Sequence, residues 1–263
     1  MRKSVENELF MLKPLIVANW KMNPLSNEEA LRLFKIVKKE LKDIENIEIV
    51  ICPPFTQLPV INRQPPISLK LGAQNCFWKD EGAYTGEISP RMLRNLGCSY
   101  IIIGHSERRK YFGETDEMIN KKIRTALKNN LKPILCTGET LEEYKKDKTD
   151  KVLISQLQTA LKDISKFQIS NFKFQIAYEP VWAIGTGVTP NMDGIMSAKL
   201  LIRKILAKMY SRPIAEKVRI LYGGSVSSKN ANDFLKKAGM DGLLIGGASL
   251  KAMEFVRIVK SIL

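Results

Sequence analysis

The sequence predicts a closed (β/α)8 barrel, and three observations carry that prediction. Eight short apolar, β-branched runs recur, at 15–18, 47–52, 69–73, 100–103, 133–136, 174–177, 218–221 and 242–245. Helical patterns or helix-bearing connections separate them, giving about 33 residues per unit, enough for a crossover between parallel strands. Finally, the 263 residues hold eight such units without a linker, which suits a barrel better than an open doubly wound sheet. No GxGxxG motif follows the first run, as a dinucleotide-binding sheet would prefer.

Each element has its own signal. Continuous apolar runs imply strands covered on both faces. After the first, Ser26 and Glu29 have the spacing of a capping box, and Leu31, Phe34, Ile36, Val37 and Leu41 recur at a helical period. Asn191 is placed to cap a helix reaching Tyr210, and a last helix is expected from about Met253 to Ile262. Residues 1–14 read as an N-terminal extension and 15–263 as one domain. The extension carries acids and lacks both a sustained apolar core and a small-residue cleavage site, so it does not read as a signal peptide. A membrane-spanning helix needs about 20 apolar residues, and runs such as Leu243-Leu244-Ile245 are far shorter.

An apolar content of 44 % allows a large core, while 42 basic against 27 acidic residues leave a net charge of +15. The lysine pairs Lys38-Lys39, Lys121-Lys122, Lys145-Lys146 and Lys236-Lys237 fall within amphipathic patterns and are expected on solvated helix faces. Basic residues do not interleave with stacking aromatics, so no specific nucleic-acid partner is expected, only non-specific attraction to polyanions. Cys52, Cys76, Cys98 and Cys136 have no CxxC spacing, and one histidine cannot complete a Cys/His zinc set. Reduced thiols, a cytoplasmic setting and no metal are the expectation.

In a (β/α)8 barrel, side chains just beyond the strand C-termini converge on one face. Those positions hold Asn19 and Lys21, His105 and Glu107, Glu179, Ser225, and the pair Gly246-Gly247. Glu179 precedes Pro180, where a strand cannot continue. A carboxylate in a partly apolar pocket there is a candidate general base, although a structural ion pair with a lysine fits its position equally well. His105, the only histidine, follows an apolar strand. It is read as acid, base or core residue, and if a helix begins at Ser106 the helix's positive end favours a neutral ring. Lys21 suits either an anionic substrate or a Schiff base. Gly223-Gly224-Ser225 and Gly246-Gly247, after the last two strands, favour the anion, because barrels commonly build phosphate sites there from backbone N–H groups. The segment Pro180-Val181-Trp182-Ala183-Ile184-Gly185-Thr186-Gly187 suits a lid that folds over a ligand and excludes water.

Five ordered segments together resemble the triosephosphate isomerase family. They are Asn19-Trp20-Lys21-Met22-Asn23, Gly104-His105-Ser106-Glu107-Arg108-Arg109, Ala177-Tyr178-Glu179 with the lid that follows it, Leu221-Tyr222-Gly223-Gly224-Ser225-Val226, and Gly246-Gly247-Ala248-Ser249-Leu250. The resemblance covers nearly all of the chain from about Leu15 onward. It implies interconversion of dihydroxyacetone phosphate and glyceraldehyde 3-phosphate without a cofactor, as in glycolysis and gluconeogenesis. Glu179 would be the base and neutral His105 the electrophile, with Lys21 and Asn19 beside the developing negative charge. Ser106 and Glu107 would stand behind them, Glu107 orienting Lys21 or Ser106. Asn19 and Lys21 would also bind the substrate, whose phosphate would be held by Gly185, Ser225, Gly246 and Gly247. The family further implies a symmetric homodimer. In it the long connection from Gln74 to Glu87, with Thr85 near its tip, reaches the partner's site and Glu87 pairs with Arg108 across the interface. Relatives commonly carry Lys-Thr-Ala after the lid's last glycine. Here Val188-Thr189-Pro190 stand instead, and Pro190 fixes φ at the far hinge. The competing readings are another phosphate-binding barrel, such as a sugar-phosphate epimerase or aldolase, and an inactive polyanion-binding barrel.

Overall fold

A computed structural model describes residues 13–64, 69–170, 173–186 and 190–263. Most of the expected extension, and Gly187, Val188 and Thr189 of the lid region, lie outside them. The eight strands are β1 (Leu15–Asn19), β2 (Glu48–Cys52), β3 (Lys70–Ala73), β4 (Cys98–Ile103), β5 (Lys132–Thr137), β6 (Gln175–Tyr178), β7 (Arg219–Gly223) and β8 (Gly242–Ile245). They pair in sequence order, all parallel, and β8 closes on β1 with Leu15 opposite Gly242. Boundaries shift from expectation by one or two residues; Cys98 and Ser99 join β4 because Cys98 pairs with Leu71 of β3.

The two-residue period of a strand divides the core into two layers. Leu15 and Val17 of β1 face the barrel interior with Val50, Cys52, Tyr100, Ile102, Ile134, Cys136, Ala177, Leu221 and Leu244. Ile16, Ala18 and Trp20 belong to the larger layer between strands and helices. Burial of each such aliphatic side chain contributes about 1.5–3 kcal/mol. The inward register also aims the next residues: Asn19 follows Val17, and Glu179 follows Ala177, so both emerge at the top of the interior.

Helix Asn27–Leu41 starts as its capping residue predicts, with the Ser26 hydroxyl accepting the Glu29 N–H at 3.2 Å. Glu28 and Glu29 in its first turn and Lys38 and Lys39 in its last complement the helix dipole. Its buried stripe is Ala30, Leu33, Phe34, Val37 and Leu41, while Leu31 and Ile36 flank the stripe instead of filling it. Asn191 caps helix Met192–Met209, its side chain accepting the Asp193 N–H at 2.7 Å. The last helix is Ala252–Lys260. One expectation about the lysine pairs fails. Lys122 is buried, ion-paired with Glu114 at 3.0 Å and bonded to Asn75 Oδ1 at 2.8 Å. Adjacent residues on a helix point about 100° apart, so one lysine of the pair in Asp116–Lys128 faces inward and requires a counterion.

At the N-terminal end of the barrel, charged side chains close on one another. Glu48 accepts from Arg219 at 2.6 Å, from the Tyr100 hydroxyl at 2.7 Å, and from Lys70; Arg219 also donates to the Tyr100 oxygen at 2.8 Å. Burial alone would raise the Glu48 pKa. The Lys70 hydrogen bond and the Arg219 charge overcome that and hold it down at about 2. All four cysteines are buried free thiols. No described helix is long and apolar enough to cross a membrane.

Candidate active site

At the opposite end, one cavity of about 210 Å3 is lined by Asn19, Lys21, His105, Glu179, Ile184, Gly185, Ser225, Gly246 and Gly247, among others. The fold thus brings together residues from five strand ends and, through Ile184 and Gly185, from the segment expected to form a lid. The volume lies below the roughly 300–1,000 Å3 typical of sites for drug-sized ligands, which suits a molecule of a few carbons.

Glu179 is 3 % exposed. Its Oε1 stands 3.3 Å from His105 Nε2, and its Oε2 accepts the Ser106 N–H at 3.3 Å. Two glycines make room for this residue, Gly138 for its backbone and Gly223 for its side chain. A Cβ on Gly138 would lie 1.8 Å from the Glu179 carbonyl oxygen, and one on Gly223 would lie 2.8 Å from Glu179 Cγ. Gly223 therefore serves the carboxylate, whereas its sequence context points to phosphate. Beneath it, burial first and the Glu179 charge second push the Cys136 thiol well above its ordinary range.

His105 is the residue before helix Ser106–Phe112, so the expected helix start at Ser106 is present. Its Nδ1 accepts the Glu107 N–H at 3.3 Å. A ring nitrogen that accepts carries no proton, which leaves the N–H on Nε2, the atom facing Glu179 and the cavity. Lys21 Nζ contacts Glu107 Oε1 at 2.5 Å, so of the two partners expected for Glu107 the ion pair is with Lys21. The Lys21 backbone is left-handed, with φ 54°, a conformation costing roughly 1–2 kcal/mol in a non-glycine residue. Asn19 Oδ1, which accepts the Lys21 N–H at 3.1 Å, and Gln74, which donates to the Lys21 carbonyl at 2.8 Å, hold it there.

The lid segment begins as a 3-10 turn, Val181–Ala183. Its base is tied down by Ser225, whose hydroxyl donates to the Ala183 carbonyl at 2.7 Å. Pro180 and Ala183 are buried, Val181, Trp182 and Ile184 half-buried, and Gly185 and Thr186 exposed. Glu139, which sequence reasoning missed, is fully buried and accepts from the Trp182 indole at 3.0 Å and the Tyr178 hydroxyl at 3.2 Å. Burial raises its pKa against those hydrogen bonds. The only sequence signal for it was its position two residues beyond β5, on the face where the site residues gather. Gly247 opens the short turn Gly247–Leu250 after β8.

Thr85 and Glu87 are exposed, and Arg108 donates to Glu114 of the same chain at 2.6 Å. No cluster of three or more His, Cys, Asp or Glu side chains with metal-binding geometry occurs among the described residues.

A closed parallel barrel that gathers a glutamate, a histidine, a lysine and a glycine-rich wall at its C-terminal face has the architecture of the (β/α)8-barrel enzymes. The profile of the triosephosphate isomerase family matches residues 14–262. A triosephosphate isomerase of Dictyoglomus turgidum is 49 % identical over 252 residues, covering 95 % of this chain and all of that one. One of Endomicrobium trichonymphae is 50 % identical over 251 residues, covering 95 % of this chain and 99 % of that one. The crystal structure of triosephosphate isomerase from Bartonella henselae superposes with a TM-score of 0.84 at 36 % identity, covering 95 % of this chain and 98 % of that one. The chain belongs to the triosephosphate isomerase family, and it is an isomerase.

Proposed function

We propose that Glu179, His105, Lys21 and Asn19 carry out the interconversion of dihydroxyacetone phosphate and D-glyceraldehyde 3-phosphate, a step shared by glycolysis and gluconeogenesis. The observation that carries this assignment is the 3.3 Å approach of His105 Nε2 to Glu179 Oε1 at the edge of a cavity also lined by Lys21. Glu179 removes a proton from the carbon next to the substrate carbonyl, giving an enediolate, and returns it to the neighbouring carbon. His105 Nε2–H donates to the oxygen on which charge develops, and Lys21 and Asn19 add positive charge and a polar contact there. A donor aimed at developing charge favours the transition state over the ground state. Ser106 and Glu107 position the base and the lysine through the bonds described above.

The substrate phosphate is held by backbone N–H groups of Gly185, Gly246 and Gly247 and by Ser225. Residues 180–187 close over it. An exposed enediolate phosphate would eliminate phosphate, so binding energy from the non-reacting end holds the lid shut. Residues 15–263 act as one isomerase domain, with 1–14 as an extension, and the protein works in the cytoplasm, in keeping with its buried thiols.

The active unit is a homodimer. On the far side of Lys21, His105 and Glu107 lies a second cavity, lined by Met22, Phe55 and Phe112 as well. Met22 and Phe112 are exposed, at 87 and 67 %. Exposed apolar groups beside reacting residues suit a partner's Thr85 loop, with Glu87 and Arg108 at the rim. A coupled assay in deuterium oxide tests the chemistry. Proton transfer through an enediolate lets the proton held on Glu179 exchange with solvent before it returns, so part of the product carries deuterium on the carbon next to the carbonyl, and product with none would refute it.

A further inference from the structure

Trp182 sits at the root of the lid segment, two residues before Ile184 and three before Gly185, both of which wall the substrate cavity. One side of its indole is fixed by Glu139, as described. Against the other stands Tyr144, with ring centroids 4.5 Å apart and planes inclined by 30°. Both contacts come from one short stretch. Glu139 directly precedes Thr140, the capping residue of the turn of helix Leu141–Lys145. Thr140 accepts the Glu143 N–H at 3.3 Å, and the Glu143 carboxylate accepts the Thr140 N–H at 2.8 Å, so the turn that carries Tyr144 is closed reciprocally. Tyr144 itself is 48 % exposed. It contributes little to the core, and its hydroxyl takes no part in the chemistry proposed above.

We propose that Tyr144 is a positioning residue for the lid: its ring, tilted against Trp182, holds the indole against Glu139 and so keeps Ile184 and Gly185 over the substrate cavity. This rests on the reading of residues 180–187 as a lid. An offset aromatic pair of this kind biases a two-state arrangement by roughly two- to tenfold. Loss of this ring contact lowers the population in which the lid walls the cavity, and a ligand that needs that arrangement binds correspondingly more weakly.

The test compares wild type, Tyr144→Ala, Tyr144→Phe and Ile184→Ala, with tryptophan fluorescence to follow binding of phosphoglycolate, a phosphate ester whose carboxylate mimics the enediolate. The same samples are assayed for isomerisation and for inorganic phosphate released during turnover. Phosphate release reports the leak: the enediolate phosphate breaks its C–O bond, phosphate departs with the electron pair, and the remaining enol tautomerises to methylglyoxal. Tyr144→Ala is expected to raise the phosphoglycolate Kd and the substrate KM about two- to tenfold with kcat within about twofold, and to raise the share of phosphate released. Tyr144→Phe, which keeps the ring, restores both. Unchanged Kd and phosphate release in Tyr144→Ala, with release raised in Ile184→Ala, would overturn the role of Tyr144 alone. Unchanged release in both variants would overturn the lid reading and this proposal with it.

Discussion

The two ends of the barrel are built from similar side chains and do opposite things. At the N-terminal end, Glu48, Arg219, Tyr100 and Lys70 spend their charges on one another, and Arg219 is 3 % exposed. At the C-terminal end, Glu179, His105, Lys21 and Glu107 also touch, but they do so around a cavity that leaves Nε2–H, Nζ and a carboxylate oxygen facing open space. A strand's inward register reaches both ends equally. What differs is the capping: at the top, glycines and long loops keep the interior open, whereas at the bottom four side chains meet and seal it. The cluster at the bottom is placed to contribute stability, and the cavity at the top to carry the proposed chemistry.

The largest effect that should separate them is Glu179→Asp, which withdraws the base by one methylene. We expect kcat to fall by roughly two to four orders of magnitude, with the thermal midpoint within about 2 °C of wild type. A midpoint lowered as far as that of a core variant would mean that the top also holds the fold together. Next comes Glu48→Gln, which leaves Arg219 without its counter-charge. Breaking a buried pair costs about 3–5 kcal/mol. Because the Glu48 side chain keeps 15 % exposure, about 2–3 kcal/mol is expected here, a fall of roughly 5–10 °C in midpoint, while kcat at 25 °C stays near wild type.

Gly223→Ala sharpens the comparison from within the site. Its new Cβ would meet Glu179 Cγ at 2.8 Å, so the carboxylate must shift by some tenths of an ångström, and kcat should drop about tenfold with little change in phosphoglycolate affinity. A variant with wild-type turnover would show that the carboxylate's placement is not set by this glycine. The smallest expected effect is in acid. Glu48 is held at about 2 against an ordinary 4.5. Its contribution is therefore complete above about pH 4.5 and is lost as pH falls toward 2. Denaturant unfolding across that range should show a steeper loss of stability in wild type than in Glu48→Gln, and parallel curves would count against the cluster.

Much of the top was legible in the sequence because a barrel turns linear position into spatial position: whatever follows a strand's last inward residue reaches the same face. Asn19, Lys21, His105, Glu179, Ser225, Gly246 and Gly247 were readable on that ground, and all of them line one cavity. The bottom was not, because its bonds join residues far apart in the chain, 171 positions in the case of Arg219 and Glu48. The available signal was a charge inside an apolar strand, Ile47-Glu48-Ile49 and Val218-Arg219-Ile220, which demands a buried partner without naming it. Lys122 was hidden for a related reason, since a lysine pair on a helix looks solvated until the inward-facing member is known. Gly138, Glu139 and Tyr144 escaped notice because they act on Glu179 and Trp182 through contacts, with no motif of their own.

The separation of chemistry from stability is tested most directly by combining Glu179→Asp with Glu48→Gln and measuring kcat/KM at 25 °C and the thermal midpoint for wild type, both single variants and the double. Independent ends predict that the activity lost through Glu179→Asp is the same, within about twofold, in either background, and that the midpoint lost through Glu48→Gln is likewise unchanged. An activity loss that grows or shrinks about tenfold when Glu48 is replaced, or a midpoint shift that depends on residue 179, would contradict it.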